Sequence, residues 1–226
     1  MFSTFGFLQQ LLFGGVARKR QPPTITAQPP EQVLYQQDGA LAIRGAAATG
    51  YTALTWQRSD NGTSWADVTN QQGLNMVIAT ATYADRGYWR LKAVNGNSDP
   101  AFSRAVEVVC VYMKIQNDVN PTDPGMVQKS RTSYEYTTPA GTKYMSAFYV
   151  NQADGQNFTP KGLSTARAVT SWSTDNNTVA PVVGTGQPGS GNVRATGQIV
   201  PNITPGVGTM TARIGNLVST VKYIAS

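Results

Sequence analysis

Alternating apolar and polar residues set the pattern of the chain from residue 32 to residue 112. In the run Leu54-Thr55-Trp56 a polar residue separates two apolar ones, and the run ends at the turn Asp60-Asn61-Gly62, whose asparagine and glycine accept positive φ. Similar runs recur about every ten residues, a spacing typical of β-sandwiches. The pattern predicts strands at 32–35, 40–44, 51–58, 64–68, 74–79, 88–94 and 105–112.

The same alternation predicts which side chains fill the core of this first unit. We expect the inward-facing residues to be Leu41, Ile43, Leu54, Trp56, Met76, Ile78, Trp89, Leu91, Ala93, Val106 and Val108. After the turn-rich segment 116–125, strands are predicted again at 133–138, 143–150, 166–173, 179–183, 192–199, 208–214 and 217–224. The chain is therefore predicted to divide into an arm, 1–22, and two domains, 23–114 and 115–226.

One motif in the first domain points to a specific type of sandwich. The run Asp85-Arg86-Gly87-Tyr88-Trp89-Arg90-Leu91 resembles the D-x-G-x-Y-x-C corner of immunoglobulin-like domains. Trp89 stands in the place of the corner tyrosine and Leu91 in the place of the cysteine. The resemblance implies an immunoglobulin-like sandwich that has no disulfide and whose corner hydrogen bond comes from an indole N–H. Such modules are common in bacterial surface proteins and in phage capsid and tail proteins.

The last third of the chain resembles a second module, the bacterial immunoglobulin-like group 2 (invasin/intimin-like) domain. The matching segments are Trp172-Ser173-Thr174-Asp175, Val179-Ala180, 191–195 and 208–212. The segment 113–165 is longer than in that family, and we interpret 152–162 within it as an inserted hairpin or loop. The predicted fold class is all-β, with two tandem immunoglobulin-like sandwiches that follow a short apolar arm, helical when docked.

The arm is apolar and is followed by a basic run. Its charges come after the apolar residues, and Gln9-Gln10 interrupt the apolar run, which does not fit a secretory signal. At about a dozen residues, the apolar run is also shorter than the ~20 residues of a transmembrane helix. Three interpretations stay open: a docking peptide for a larger assembly, packing on this chain or on a copy's arm, and a membrane-surface anchor. The candidate docking residues are Phe2, Phe5, Phe7, Leu8, Leu11, Leu12, Phe13, Arg18, Lys19 and Arg20.

Composition argues against catalysis. The chain has no histidine, which is the commonest general base and metal ligand, and its 12 acidic residues are scattered through turns. Cys110 is the single cysteine and stands in an apolar strand, so we interpret it as a small buried hydrophobe, not a reactive thiol. We therefore predict no enzymatic activity, catalytic residue, metal or cofactor.

The resemblances and the arm together predict a structural virion protein of a tailed bacteriophage, assembled in the host cytoplasm. The arm would bind capsid or tail proteins in a homo-oligomeric arrangement, and the sandwiches would decorate the particle, seal a joint or aid host attachment. The alternative is a bacterial adhesin or carbohydrate-binding module; the net charge of +6 comes without the aromatic-basic interleaving of a nucleic-acid-binding protein. Candidate contacts for a host-surface glycan are Tyr51, Trp65, Tyr83, Tyr134 and Tyr136.

Overall fold

The computed structural model describes residues 20–166, 171–179 and 201–226, and within them the chain is built of β-strands. The helix found in these residues is one short 3₁₀ turn, Tyr83–Asp85. The predicted strand 192–199, most of the predicted strand 179–183 and the helix expected in the arm lie outside the described residues. The all-β fold class is confirmed.

The first sandwich contains ten strands, the last of which continues beyond it. They are β1 (Thr24–Ala27), β2 (Gln32–Tyr35), β3 (Leu41–Ile43), β4 (Ala47–Thr49), β5 (Ala53–Ser59), β6 (Ala66–Asp67), β7 (Met76–Ile78), β8 (Gly87–Val94), β9 (Ala101–Phe102) and β10 (Val106–Asn117). On one side β1 pairs with β4 and β3 with β7. On the other side β6, β5 and β8 are neighbours, β8 pairs with both β9 and β10, and β2 runs parallel to β10. This is an immunoglobulin-like arrangement.

Burial follows the predicted alternation in the first sandwich. Each of the predicted inward residues is buried, apart from Ile78, which is half-buried at the edge of the same core. The centre of the core is formed by Trp56 and Trp89, which are 0% and 1% exposed. Burying side chains of this size contributes about 2–3 kcal/mol each, so the core does not need a disulfide to hold the two layers together.

The corner before β8 uses the predicted indole in place of a tyrosine hydroxyl. Trp89 Nε1 donates to the carbonyl oxygen of Asp85 at 2.9 Å, which closes the chain back on the 3₁₀ turn. The Asp85 carboxylate accepts the backbone N–H of Thr82 at 2.7 Å and the Thr82 hydroxyl at 2.9 Å. Hydrogen bonds to both the backbone carbonyl and the side-chain carboxylate of Asp85 therefore fix the corner.

The glycine of the corner motif is required by a close approach of two strands. Gly87 has φ of +122°, and a Cβ atom there would lie 2.7 Å from the carbonyl oxygen of Ser59 on β5. Any other residue at this position would clash with backbone that cannot move without breaking the pairing of β5 and β8. The aspartate and the glycine of the motif are thus required for different structural reasons: the aspartate for its hydrogen bonds and the glycine for its lack of a side chain.

The second sandwich contains the far half of β10 and eight further strands. They are β11 (Met126–Ser130), β12 (Ser133–Thr138), β13 (Gly141–Thr142), β14 (Met145–Asn151), β15 (Ser171–Thr174), β16 (Asn202–Ile203), β17 (Gly206–Ile214) and β18 (Leu217–Ala225). One sheet has the order β11-β12-β18-β17-β15, with β12 and β18 parallel. β14 pairs with β10, and β13 with β16. Trp172 and Val179 of the invasin-like segments are buried in this core, but that closer family assignment stays a prediction.

Two tyrosines pack together in the second core, and in the described part of the chain the hydroxyl of one of them is hydrogen-bonded whereas the hydroxyl of the other is not. Tyr136 donates to Asp123 Oδ2 at 2.7 Å and accepts from Asn117 Nδ2 at 3.0 Å, and the bond from Tyr136 lowers the pKa of the Asp123 carboxyl. Tyr223 packs edge to face against Tyr136, with ring centroids 5.7 Å apart. The Tyr223 hydroxyl is buried and has no hydrogen-bond partner among the described residues.

The corner indole leads to a first prediction. We expect Trp89→Phe to lower the free energy of unfolding by about 2–4 kcal/mol, because it removes the bond to Asp85 and leaves a cavity in the core. Trp65→Phe makes the same chemical change at a half-buried surface position and should cost less than ~1 kcal/mol. Urea denaturation followed by circular dichroism measures both. Equal losses in the two variants would contradict the role assigned to the corner bond.

The two tyrosines lead to a second prediction. Tyr136→Phe should lower the free energy of unfolding by about 1.5–3 kcal/mol, because it removes a charge-assisted bond and leaves Asp123 without that donor. Tyr223→Phe should leave stability unchanged or raise it by about 1 kcal/mol, because the hydroxyl that it removes is buried without a partner. Since both rings are buried and the two substitutions are chemically identical, thermal unfolding of the pair isolates the hydrogen bonds. A comparable loss in both variants would show that Tyr223 does have a partner.

Candidate functional site

The candidate docking residues of the arm lie outside the described residues, with one exception. Arg20 is exposed and lies against the turn between β8 and β9, where its Nη1 is 3.5 Å from Asn95 Oδ1 and its backbone N–H donates to Asn97 Oδ1 at 3.4 Å. The next residue, Gln21, accepts from Asn95 Nδ2 at 3.0 Å. The arm therefore joins the first sandwich at this turn.

The point where the arm joins and the second sandwich are at opposite ends of the first sandwich. β9 begins directly after the turn that contacts Arg20, and β10 continues in the same direction away from it. At about 3.3 Å per residue, the ten steps from Ala101 to Val111, where the second core begins, cover about 30 Å. A particle that held the arm would thus hold the second sandwich at a distance.

The candidate glycan contacts fall into two groups. Tyr134 and Tyr136 are 3% and 1% exposed and belong to the second core, so the prediction that they lie at the surface is wrong. Both alternate with polar residues on β12, and both belong to the core cluster that also contains residues of β10 and β14. Tyr51 is exposed, and Tyr83 is half-buried with the Arg86 guanidinium carbon 3.9 Å from its ring centroid.

Trp65 forms part of a stacked cluster. The guanidinium carbon of Arg90 lies 4.2 Å from the centroid of the Trp65 ring and 4.0 Å from that of the Phe102 ring, so the two aromatic rings flank one cation. Stacking of this kind is favourable because the ring faces are electron-rich. The three side chains come from β8, β9 and the residue before β6, and they share the outer face of the sheet.

A polar network fixes the stack at its base. Arg90 Nε donates to Gln57 Oε1 at 2.8 Å, and Gln57 Nε2 donates to Asp67 Oδ1 at 2.6 Å. Asp67 also pairs with Lys92 Nζ at 3.1 Å. The bonds from Gln57 and Lys92 lower the pKa of the Asp67 carboxyl, and burial lowers the pKa of the Arg90 guanidinium. We call the set Gln57, Trp65, Asp67, Arg90, Lys92 and Phe102 the Arg90 face.

A second notable region is the joint between the sandwiches, which centres on β10. The first half of this strand pairs with β8 and β2, and its second half pairs with β14. Cys110 belongs to the first core and the next residue, Val111, to the second, and both are buried. Because successive side chains of a strand point to opposite faces, the two cores meet back to back along one strand. The predicted division at 114/115 stays a prediction, but the change of core occurs at 110/111.

The long segment of the second sandwich contacts the first sandwich beside β10. Its backbone turns back after β14, with Phe158 N–H donating to the Tyr149 carbonyl at 2.8 Å. Lys161 then reaches the first sandwich, where its N–H donates to Gln32 Oε1 at 2.9 Å and its Nζ pairs with Glu107 at 2.9 Å. We call the segment 152–162 the brace, because it ties the two sandwiches together outside the shared strand.

A cleft of about 290 Å³ opens at the joint. Gln37 Oε1 accepts from Gln152 and, at 3.4 Å, from Arg131 Nη1, so both sandwiches contribute to its lining. Nearby, Val218 N–H donates to Gln36 Oε1 at 3.0 Å. The cleft is lined by neutral amides, by hydroxyls and by one acidic and one basic side chain, Asp38 and Arg131. The hydrogen bonds between its walls join the two domains, so we interpret it as part of their polar interface.

The described residues contain no group of three or more histidine, cysteine, aspartate or glutamate side chains that could hold a metal ion. Cys110 is buried as expected, its Sγ lies 3.4 Å from Gln152 Oε1, and burial raises the pKa of its thiol. In the part of the chain that the structure describes, every helix is too short and too polar to cross a membrane.

Sequence reasoning missed Arg90, Phe102 and the joint. The pairing of Phe102 with Lys92 brings the Phe102 ring beside Arg90, and the pairing of Arg90 with Gln57 supplies the polar partner on the other side. The joint did have a signal in the sequence: the apolar alternation Val106, Val108, Cys110 changes phase at Val111, Met113 and Ile115. Such a change of phase within one strand indicates that different faces are buried in its two halves.

No protein-family model and no curated protein matches the sequence. Among solved structures, the chain is similar to the three N-terminal domains of the highly immunogenic outer capsid protein of bacteriophage RB49, with 10% identity, a TM-score of 0.42, and coverage of 91% of this chain and 70% of that chain. It is also similar to the N-terminal four Ig domains of a Dscam1 isoform (12% identity, TM-score 0.34, 90% of this chain and 46% of that one). A third similar structure is that of Drosophila OTK extracellular domains 3–5, with 14% identity, a TM-score of 0.31, and coverage of 90% of this chain and 66% of that chain. The chain spans about half the length of the Dscam structures, and at these identities the similarity concerns the fold alone.

The shared strand leads to a third prediction. Insertion of two glycines between Cys110 and Val111 should uncouple the sandwiches, because it ends the continuous pairing of β10 and shifts its two halves relative to the brace. Small-angle scattering should then show a larger radius of gyration and a broader distribution of distances than in the unmodified chain. The same insertion between Gly50 and Tyr51, two exposed residues between β4 and β5, serves as the control and should change neither. Identical scattering from all three proteins would show that β10 does not fix the joint.

Proposed function

We propose that this chain is a structural virion protein of a tailed bacteriophage, held to the capsid or tail by its N-terminal arm. The observation that carries the proposal is the placement of the arm and the second sandwich at opposite ends of a firmly joined pair of domains. A shared strand and a brace give the pair one fixed geometry. Such a body suits decoration of a particle or the sealing of a joint between its subunits.

Attachment in this proposal is non-covalent and depends on the apolar side chains of the arm. Each phenylalanine that leaves water for a groove in the shell contributes about 2–3 kcal/mol before ordering costs are subtracted. The basic residues Arg18, Lys19 and Arg20 follow the apolar run and would remain at the rim of that groove. Many copies on one particle would raise the effective affinity well above that of a single arm.

The absence of a disulfide fits assembly in a reducing cytoplasm. The sequence contains one cysteine, so no bond can form within the chain, and Trp56, Trp89 and Leu91 fill the region that a disulfide would otherwise cross-link. In the described residues both cores are thus held by packing, with no oxidation step needed. A virion protein assembled inside the host before release needs this property, and it also limits dependence on oxidising folding factors.

The proposal leads to a fourth prediction. Deletion of residues 1–19 should abolish binding to virions that were assembled without the protein, while the circular dichroism and the melting temperature of the sandwiches stay unchanged. Co-sedimentation with the particles measures the binding. Phe5→Ser with Leu12→Ser, which keeps the charge and length of the arm, should weaken binding at least about tenfold if desolvation of these side chains holds the arm.

One control variant and two possible outcomes make this experiment decisive. Arg18→Gln with Lys19→Gln removes charge and keeps the apolar residues, so it should weaken binding less than the apolar substitutions do. A truncated protein that still sediments with particles would contradict the docking role of the arm. A full chain that ignores particles but binds host cells would favour the adhesin alternative.

A further inference from the structure

We propose that the Arg90 face is a docking surface for an acidic protein, one carboxylate of which binds the outer edge of the Arg90 guanidinium. The inference goes beyond the proposed function, because it concerns a face of the first sandwich that does not involve the arm. It holds or fails whether or not the arm binds a virion.

The first argument is the geometry of the guanidinium. Trp65 and Phe102 flank it on either side, and Nε is used by Gln57. Among the described residues, the hydrogen bond of the Arg90 side chain is the one from Nε, and its Nη1 and Nη2 atoms are not among the buried atoms that have no partner, so they remain open to solvent. The edge that remains is a planar pair of donors, which matches the two oxygens of a carboxylate. The stack and the bond to Gln57 hold this edge in place, so little side-chain entropy is lost on binding.

The second argument is the shape of the face. Two clefts of the first sandwich do not include the stacked side chains: one of about 530 Å³ borders the Arg90 face at Asp67 and extends away from it to Val68 and Trp89, and one of about 460 Å³ is lined by Tyr51 and Gln72. Arg90, Trp65 and Phe102 line neither of them. Small ligands bind in concave sites, whereas protein partners bind flatter surfaces. A sheet face of this kind therefore suits a protein better than a small molecule.

The third argument is the composition of the face. Tryptophan and arginine are the residues most enriched among those that dominate binding energy in protein interfaces. Phe102 is 39% exposed despite the stack, so it offers apolar area beside the guanidinium. Asp67 and Lys92 pair with each other at the border, where they can orient a partner through complementary charges.

Charge indicates that the partner is acidic. The chain carries 18 basic and 12 acidic residues, and the open edge of Arg90 contains only donors. On the Arg90 face itself two cations, Arg90 and Lys92, stand against one anion, Asp67, so the same face of a second copy would meet it with the same positive excess, whereas an acidic protein would be attracted. Nucleic acid fits less well, because phosphate binding uses several cations along one path and the bonds that lower the pKa of Asp67 keep a negative charge on this face.

The inference leads to a fifth prediction, tested on the full chain with a blocked ten-residue glutamate peptide as the probe. In nuclear magnetic resonance titrations at about 150 mM salt, the largest shifts should occur at the Arg90 Nε–H and the Trp65 indole N–H. Arg90→Gln should weaken binding about tenfold, as expected for loss of a charge-assisted bond. Arg104→Gln removes the same charge from the connection between β9 and β10 and should change binding less than about twofold.

Further arms of the experiment separate the alternatives. Phe102→Ala keeps all charges and should also weaken binding, so it tests the site even if Arg90→Gln is poorly folded; Tyr51→Ala is its control, since Tyr51 is 40% exposed and Phe102 39%. Equal losses in Arg90→Gln and Arg104→Gln would overturn the proposal in favour of diffuse attraction. It would also be overturned by equal binding of a ten-residue glutamine peptide, by tighter binding of a thymidine oligonucleotide at the same resonances, or by shifts that avoid Arg90 and Trp65.

Discussion

Backbone hydrogen bonding along β10 is the constraint on which the arrangement of the whole molecule depends. The twelve residues Val106–Asn117 form one strand, and a strand bends less freely where neighbouring strands pair with it along its length. β2 and β8 hold its first half, and β14 holds its second half. The direction of the second sandwich is therefore set by the direction in which β10 leaves the first. A flexible linker at this position would have left that direction open.

Side-chain packing reinforces the orientation of the two sandwiches that the backbone pairing of β10 sets. Cys110 and Val111 are neighbours on the strand and are buried in different cores, so a rotation of the strand about its axis would expose one of them. The ion pair between Lys161 and Glu107 adds little energy, because its two side chains are 54% and 29% exposed to water that screens the charges. Its position matters more than its strength, since it limits bending at a point away from the strand. Burial thus supplies the stability of the joint, and the brace restricts its angle.

The inner residues of the first sandwich could be predicted from the sequence, whereas the joint and the Arg90 face could not. Alternation alone identifies Trp56, Trp89 and Leu91 as core residues, because period two is a local property of any strand that is buried on one side. The same rule failed for Tyr134 and Tyr136: it finds which residues share a face and leaves open whether that face points to the core or to solvent. The phase change after Cys110 was visible, but its meaning depends on a second core that only the fold reveals.

Arg90 shows why neighbours in sequence do not suffice to predict the surroundings of a surface residue in a β protein. Its neighbours Trp89 and Leu91 place it on the outer face, but its chemistry depends on Gln57 directly across on β5 and on Phe102, which reaches it from the opposite side through β9. A shift of one residue in either pairing would turn Gln57 inward or move Phe102 away, and the same sequence would then present an ordinary solvated arginine. The register that buries Trp56 opposite Leu91 is the register that aligns Gln57 with Arg90. Packing of the core therefore determines the surface chemistry on the other side of the same strands.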